Sequence, residues 1–159
     1  MVQLAIDYHG SGVFKAREYD PVAPAEGEVQ IAVAYTGICG TDLTISHGGM
    51  DGRVKEPWPI GHEMSGTIAQ IGPRVEGWSV GDKVTVMPLD WDGTCAACRA
   101  GVNHICQNLN FVGIDSPGAL QGRWNVKADW LVRLPAELDL KTAALVEPVA
   151  VAQHDIGRA

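Results

Sequence analysis

Apolar residues along the chain occur in short alternating runs that glycine and proline separate. The stretches 2–7 and 13–19 flank the turn Gly10-Ser11-Gly12 and predict a hairpin. The stretch 29–35 alternates at a period of two, which predicts a half-buried strand. Further apolar runs predict strands at 63–71, 83–87, 124–127 and 130–134. We therefore expect a mainly β fold with short helices.

Near the end of the sequence the apolar spacing changes from that of a strand to that of a helix. The stretches 138–145 and 149–156 both show this spacing. Gly10 and Gly12 do not predict a nucleotide-binding loop, because residues 13–16 continue as a strand where such a loop needs a helix. No glycine-rich βαβ unit follows within the 159 residues.

Composition excludes several classes of function. The chain has 19 acidic and 12 basic side chains, a net charge of -7, which disfavours binding to nucleic acid. No apolar run reaches the roughly twenty residues that cross a bilayer, so we expect no membrane association. Three of the four cysteines crowd into residues 95–106, which indicates a metal site in a reducing compartment. The predicted location is cytoplasmic.

The cysteine cluster has the spacing of a zinc site. Cys95, Cys98 and Cys106 supply three thiolates, and Asp92 lies three residues before the first of them. Zinc accepts carboxylate oxygen in a tetrahedral shell, so Asp92 is the favoured fourth ligand. Asp90 and His104 compete for that place, and the alternative is three reduced cysteines packed as small hydrophobic side chains. A shell closed by four protein ligands predicts a structural role.

A second set of potential ligands is spread along the chain. Cys39 lies in a Gly-Ile-Cys-Gly-Thr-Asp segment, and His62 and Glu63 follow Gly61. Together they would leave a coordination position open, as a catalytic zinc requires, provided that the backbone bends at His62. Glu147 precedes Pro148 at a predicted helix start, where metal binding and helix capping remain open alternatives. Taken singly, Cys39 is more often a buried structural cysteine and His62 more often a hydrogen-bonded core histidine, so the metal hypothesis depends on the two together.

Several motifs together resemble the zinc-dependent medium-chain alcohol and polyol dehydrogenases, in particular their sorbitol and threonine dehydrogenase branch. The motifs are Gly-Ile-Cys-Gly-Thr-Asp at 37–42, Gly-His-Glu with spaced glycines at 61–75, Gly-Asp-Lys-Val at 81–84 and Glu-Pro at 147–148. The Gly-His-Glu segment is the most specific of them. The cysteine loop also resembles the structural-zinc lobe of this family, with Asp92 where relatives usually carry a further cysteine.

The resemblance implies a GroES-like catalytic domain, a partly open β-barrel, over residues 1–159, with a structural-zinc lobe at about 90–107. It also implies that a Rossmann domain binding NAD or NADP lies outside this chain, so the sequence is interpreted as an N-terminal fragment. The isolated fragment is accordingly expected to bind zinc without turnover. The edges of the barrel and the lobe would leave room for a homo-oligomer, as in the family.

The resemblance also assigns roles to individual residues. Cys39 and His62 would bind catalytic zinc, with Glu63 and Glu147 at the acidic ligand positions of this branch. Asp42 would orient His62, Thr41 would pass on the proton of a small alcohol or polyol substrate, and His47 is the nearest imidazole for the rest of the relay. The residues assigned to zinc, relay and lobe are Cys39, Thr41, Asp42, His47, His62, Glu63, Asp92, Cys95, Cys98, Cys106 and Glu147.

Two other interpretations remain at this point. The chain could be a zinc-binding interaction module in which both metal sites are structural and the acidic surface meets a protein partner. It could also be a zinc-free relative of the quinone reductases, although Cys39, His62 and the cysteine loop would then have no purpose. Two bound zinc ions would support a dehydrogenase, one would suggest the lobe alone, and none would support a quinone reductase relative. The dehydrogenase and the interaction module differ in coordination, because a catalytic metal at Cys39 and His62 keeps a water-accessible position and a structural one does not.

Overall fold

A computed structural model describes residues 1–54 and 57–158, and strands dominate this part of the chain. The strands are β1 (Gln3–Tyr8), β2 (Phe14–Tyr19), β3 (Glu28–Thr36), β4 (Trp58–Pro59), β5 (Met64–Ile71), β6 (Lys83–Val86), β7 (Leu89–Asp90), β8 (Asn110–Phe111), β9 (Arg123–Lys127) and β10 (Leu131–Arg133). The helices are α1 (Gly40–Ser46), α2 (Ala96–Arg99), α3 (Leu140–Ala143) and α4 (Val146–Arg158), with 3-10 turns at Asn103–Ile105 and Ala128–Trp130. The prediction of a mainly β fold with short helices is confirmed.

The strands form three antiparallel sheets. The largest has the order β10-β6-β5-β3-β9, a second has the order β2-β1-β4, and β7 pairs with β8 alone. Within the described residues the five-stranded sheet is open, because its outer strands β10 and β9 do not pair with each other. The predicted hairpin is present as β1 and β2, with Gln3 opposite Tyr19 and Tyr8 opposite Phe14.

Two apolar clusters hold these sheets together. The larger packs on the five-stranded sheet, and its members are Val29, Ile31, Met64, Ile68, Val84, Val86, Val112, Ala119, Trp124, Val126 and Leu131. The smaller joins β1 to α1 and to the chain before β5, through Tyr8, Ile45, Val54, Ile60 and Ile114. Burial of these side chains stabilises the frame that carries both sets of candidate ligands.

The predicted half-buried alternation of β3 is wrong in its first half. Val29, Gln30 and Ile31 are buried in succession. Gln30 is covered because its Nε2 donates to the carbonyl of Val22 at 2.9 Å and to Oδ1 of Asn125 at 3.1 Å. Buried and exposed side chains alternate along a strand when one face of the sheet is exposed to solvent. A central strand loses this alternation when another segment covers its second face.

Helix boundaries differ from the expected ones. Only Leu140–Ala143 of the predicted 138–145 helix is helical. Asp139 caps its start by accepting the N–H of Thr142 at 2.9 Å. The next helix begins at Val146, earlier than predicted, so Glu147 lies in its first turn. Helix α1 was not predicted from the apolar pattern. No helix in residues 1–54 and 57–158 is long and apolar enough to cross a bilayer.

Candidate metal centres

Three potential metal ligands from distant parts of the chain meet at one end of the main sheet. Cys39 lies between β3 and α1, and His62 and Glu63 directly precede β5. The two strands pair antiparallel with Thr36 opposite Met64, so the end of one lies beside the start of the other. One ligand atom from each of Cys39, His62 and Glu63 lies within 4.8 Å of the other two. The fold therefore gathers three residues that the sequence predicted to share a metal.

Gly37 makes room for one of these ligands. Its N–H donates to the carbonyl of Glu63 at 2.7 Å, which fixes the two segments side by side. A Cβ at Gly37 would lie against Oε2 of Glu63 and 3.1 Å from the Cβ of Glu63. The carboxylate of Glu63 therefore occupies space that only a glycine leaves open.

A bend at Gly61 explains how His62 and Glu63 can serve one site although they are adjacent. Gly61 has a φ of 96°, in the region that favours glycine, and regular strand geometry resumes only at Met64. The backbone of Gly113 packs closely here, since a Cβ at Gly113 would lie 2.6 Å from the carbonyl oxygen of Gly61. The bend that the sequence analysis required is present.

The imidazole of His62 is 3% exposed and lies edge-on to Phe111, with ring centroids 5.1 Å apart. Burial lowers the pKa of His62, and the negative charges of Asp42 and Glu63 oppose this effect. Its buried Nδ1 has no hydrogen-bond partner among the described residues. A neutral imidazole is the form that binds zinc, so burial prepares His62 for a metal.

Asp42 links the cysteine and the histidine of this cluster. Its Oδ2 accepts the N–H of Cys39 at 2.8 Å, which caps the first turn of α1. The carboxyl group is 3% exposed, and its charge acts to raise the pKa of His62. Its Oδ1 is buried and forms no hydrogen bond within the described part of the chain. Asp42 thus lies close enough to His62 to act on it electrostatically.

Glu147 approaches the cluster from α4. Its pKa is raised to about 7, first by burial and then by the negative charge of Glu63. Ser65 donates its hydroxyl to the carbonyl of Leu140, which anchors α3, directly before α4, against β5. Among the described residues the group within 4.8 Å contains Cys39, His62 and Glu63 but not Glu147. The structure places Glu147 beside the cluster without bringing it into that group.

The two residues expected to carry a proton lie at opposite ends of α1. Thr41 is half-buried in the first turn, next to Asp42. His47 is exposed and ends the helix, and its N–H donates to the carbonyl of Leu43 at 3.2 Å. Thr41 is adjacent to the cluster in sequence, whereas His47 is separated from Thr41 by the length of the helix.

The second group of ligands is local. Asp92, Cys95, Cys98 and Cys106 each offer one atom, and these atoms all lie within 4.8 Å of one another. Cys95 caps α2, since its Sγ accepts the N–H of Cys98 at 3.5 Å. Helix α2 and the 3-10 turn Asn103–Ile105 return the chain to Cys106. The four residues favoured for zinc are therefore the four that the loop brings together.

Backbone N–H groups prepare this lobe for negative charge. The N–H groups of Cys98 and Gln107 lower the pKa of Cys95 to about 7. The N–H of Cys95 and then the amide of Asn108 hold the pKa of Asp92 well below its usual range. Desolvation and the neighbouring thiols of Cys95 and Cys106 raise the pKa of Cys98 to about 12. Crowded thiols of this kind lose their protons together when a cation joins them.

Asp90 and His104, the alternatives to Asp92 as fourth ligand of the lobe, have other partners. Asp90 pairs with Nζ of Lys127 at 2.8 Å. The ring of His104 packs edge-on to the ring of His154 in α4, with centroids 5.1 Å apart. The structure therefore favours Asp92 over both.

Sequence reasoning missed two residues that contact the candidate ligands. Phe111 packs on His62, and Asn108 donates its amide to Oδ2 of Asp92 at 2.6 Å. Their distance along the chain from the last cysteine is the only signal that could have suggested them. Neither residue type carries chemistry that would single it out.

Comparison with known proteins finds a matching family and related dehydrogenases. The family model of the alcohol dehydrogenase GroES-like domain matches residues 25–136. The 2-dehydro-3-deoxy-L-galactonate 5-dehydrogenase of Pseudoalteromonas atlantica is 57% identical over 155 residues, which cover 98% of this chain and 46% of that protein. The chain thus spans about half the length of the curated relatives it matches.

Solved structures share the fold. An alcohol dehydrogenase from Escherichia coli CFT073, complexed with NADH, has a TM-score of 0.89 at 29% identity over 99% of this chain and 45% of that one. A thermostable alcohol dehydrogenase from Pyrobaculum aerophilum, bound to cobalt and zinc, has a TM-score of 0.79 at 28% identity over 92% of this chain and 45% of that one. The expected GroES-like fold is confirmed.

Proposed function

Because the chain belongs to the family of alcohol dehydrogenases with a GroES-like domain, we propose that it forms the substrate-binding part of a zinc-dependent alcohol or polyol dehydrogenase. The observation that carries this proposal is the meeting of Cys39, His62 and Glu63 within 4.8 Å at the end of two paired strands. The relative from Pseudoalteromonas atlantica is named as a dehydrogenase of a sugar-acid derivative, which supports a hydroxylated small molecule as substrate.

The donor set fits zinc. One thiolate, one imidazole and one carboxylate are all ligands that zinc accepts, and three protein ligands leave a position for substrate. The buried Nδ1 of His62, which has no hydrogen-bond partner among the described residues, adds a second argument for a missing cation. Cys39, His62 and Glu63 would hold the ion, and Glu147, whose pKa the charge of Glu63 raises, is the proposed further ligand.

When bound, zinc would act as a Lewis acid on the substrate hydroxyl and NAD or NADP, held outside this chain, would accept the hydride. The remaining tasks belong to residues of the chain. Thr41 would accept and pass on the substrate proton, since a hydroxyl both accepts and donates hydrogen bonds. Asp42 would hold the imidazole of His62 in place and raise its basicity. His47 is the proposed exit of the relay.

The lobe has a different proposed role. Asp92, Cys95, Cys98 and Cys106 would close a tetrahedral shell around a second zinc ion, which leaves no place for substrate. Such an ion would stabilise the loop between β7 and β8, a stretch whose ordered structure consists of α2 and one 3-10 turn.

Metal counting with matched variants tests the proposal. The purified full-length protein is expected to contain two zinc ions per chain, and Cys39→Ser is expected to lose one of them together with dehydrogenase activity. Access of an external ligand separates the catalytic interpretation from an interaction module, because azide or imidazole should perturb the spectrum of cobalt bound at Cys39 but not that of cobalt in the lobe. Two zinc ions retained by Cys39→Ser, or a single zinc ion in the unsubstituted protein that does not respond to these ligands, would refute the dehydrogenase proposal.

A further inference from the structure

Asn108 connects the first and the last candidate ligand of the lobe. Its Nδ2 donates to Oδ2 of Asp92 at 2.6 Å, and its backbone N–H donates to Sγ of Cys106 at 3.3 Å. The same residue therefore touches both ends of the ligand set, although it is exposed and lies outside the Cys-x2-Cys-x7-Cys pattern.

The hydrogen bonds of Asp92 leave it little freedom. Its Oδ1 accepts the N–H groups of Thr94 at 2.7 Å and Cys95 at 2.9 Å, which uses both acceptor positions of that oxygen. Its Oδ2 accepts the amide of Asn108, which leaves one position on this oxygen. That oxygen is the only one able to bind a cation without giving up a hydrogen bond to the lobe.

A carboxylate ligand depends on orienting hydrogen bonds more than a thiolate ligand does. A cysteine offers a single sulfur atom, whereas a carboxylate offers two oxygens and rotates about its terminal bond, which has no sharp rotamer. The thiol of Cys98 also hydrogen-bonds to the carboxylate of Asp92, but its proton leaves when Cys98 binds zinc as a thiolate. Among the described residues Asn108 is then the donor that remains on Oδ2. Partners of this kind orient metal ligands and raise their affinity.

We propose that Asn108 is a positioning residue that holds Oδ2 of Asp92 towards the metal of the lobe and so allows three cysteines and one aspartate to bind zinc tightly. This inference rests on the proposed lobe zinc. It assigns to Asn108 a task that exists because the first ligand is an aspartate.

The first test is the zinc affinity of the lobe. In a His62→Ala background, which removes the other site, Asn108→Ala is expected to raise the zinc dissociation constant by about 10- to 100-fold in competition with a chromophoric chelator. Asn103→Ala is the matched control, because Asn103 lies in the same lobe and gives its backbone carbonyl to the N–H of Cys106. The control should change the constant by less than about threefold.

The second test asks whether Asn108 acts through the carboxylate. Asp92→Cys replaces the aspartate by a ligand that needs no orienting amide, so adding Asn108→Ala in that background should cost less than about threefold in affinity. Cobalt-loaded Asn108→Ala should also show altered ligand-field bands, while its sulfur-to-cobalt charge-transfer bands still report three thiolates. An equal loss of affinity in both backgrounds would show a merely structural role and overturn the inference.

The outcomes separate the two proposals. If the His62→Ala protein binds no metal, the lobe zinc fails, and the role of Asn108 fails with it. If that protein binds zinc tightly and Asn108→Ala leaves the affinity unchanged, the inference alone is overturned. Circular dichroism of the metal-free variants verifies the fold, and the Asp92→Cys pair supplies the answer if Asn108→Ala alone does not fold.

Discussion

The lobe at residues 92–106 and the cluster of Cys39, His62 and Glu63 both gather donor atoms within 4.8 Å, but by different means. The lobe uses neighbours in sequence, whose charges are supported by backbone N–H groups of the loop itself. The cluster uses two distant segments that a β-sheet brings together, and it leaves buried polar atoms of Asp42 and His62 without hydrogen bonds among the described residues. This difference agrees with the proposed structural role of the lobe and the proposed catalytic role of the cluster.

Removing a lobe thiolate is expected to have the largest effect on stability. Cys106→Ser should release the lobe zinc and lower the free energy of unfolding by more than about 3 kcal/mol, because zinc binding supplies folding energy in such loops. Denaturant unfolding combined with zinc analysis measures both quantities. An unchanged midpoint with two zinc ions still bound would show that the lobe does not depend on Cys106.

Removing a ligand of the Cys39, His62 and Glu63 cluster should have a large effect on activity and a small effect on stability. Cys39→Ser is expected to lower dehydrogenase activity of the full-length protein by more than about a thousandfold, since no substrate hydroxyl can be activated without the metal. In the metal-free protein the free energy of unfolding should change by less than about 1 kcal/mol, because a half-buried cysteine is replaced by a serine of similar shape. Activity close to wild type would contradict the proposed role of Cys39.

The geometry of the cluster is tested by a pair of glycine variants. Gly37→Ala should push Glu63 aside, with a loss of about 1–3 kcal/mol in stability and weaker zinc binding, because a Cβ there meets the carboxylate. Gly40→Ala is the matched control, since a Cβ at Gly40 meets nothing within 4 Å and alanine favours the helix. Equal stability and equal zinc binding of the two variants would show that Gly37 does not set the position of Glu63.

The smallest expected effect concerns pH and Glu147. Its pKa of about 7 in the folded chain lies above the ordinary value of 4.5, so between these values the folded state binds more protons than the unfolded state. Stability of the metal-free protein therefore falls as pH rises through this window. Glu147→Gln should stabilise the metal-free protein at pH 8 by about 1 kcal/mol, after screening by solvent, and should have little effect at pH 4.

Thermal unfolding at both pH values measures this difference. A gain that is the same at pH 4 and pH 8 would contradict burial beside Glu63 as its cause. Zinc must be removed first, because a bound ion would change the charge that Glu147 meets.

Features of the fold that depend on neighbouring residues could be predicted from the sequence. Features that depend on a distant segment packing over a strand could not. The hairpin of β1 and β2 was predicted because Gly10 and Gly12 mark its turn, and both adopt the positive φ that favours glycine. The burial of Gln30 was missed because it depends on the segment at Val22. Helix α1 was missed because its seven residues are too few to show a helical period.

The same division holds for the candidate sites. Spacing alone suggested the lobe. Cys39 and His62 were combined as possible zinc ligands with buried structural roles still open, and the family resemblance then assigned them to zinc, since their proximity depends on the pairing of β3 with β5. Phe111 and Asn108 had no distinctive signal, because packing on a histidine or donating to an aspartate requires no particular spacing. The proton relay through Thr41 and His47 stays a prediction.

Anomalous X-ray diffraction at the zinc edge, on crystals of the purified full-length protein, tests the central claim most directly. The account predicts two peaks per chain, one bounded by Sγ of Cys39, the imidazole of His62 and the carboxylate of Glu63, and another within the lobe. A peak in the lobe alone, with the Cys39 and His62 side chains turned away from each other, would contradict it.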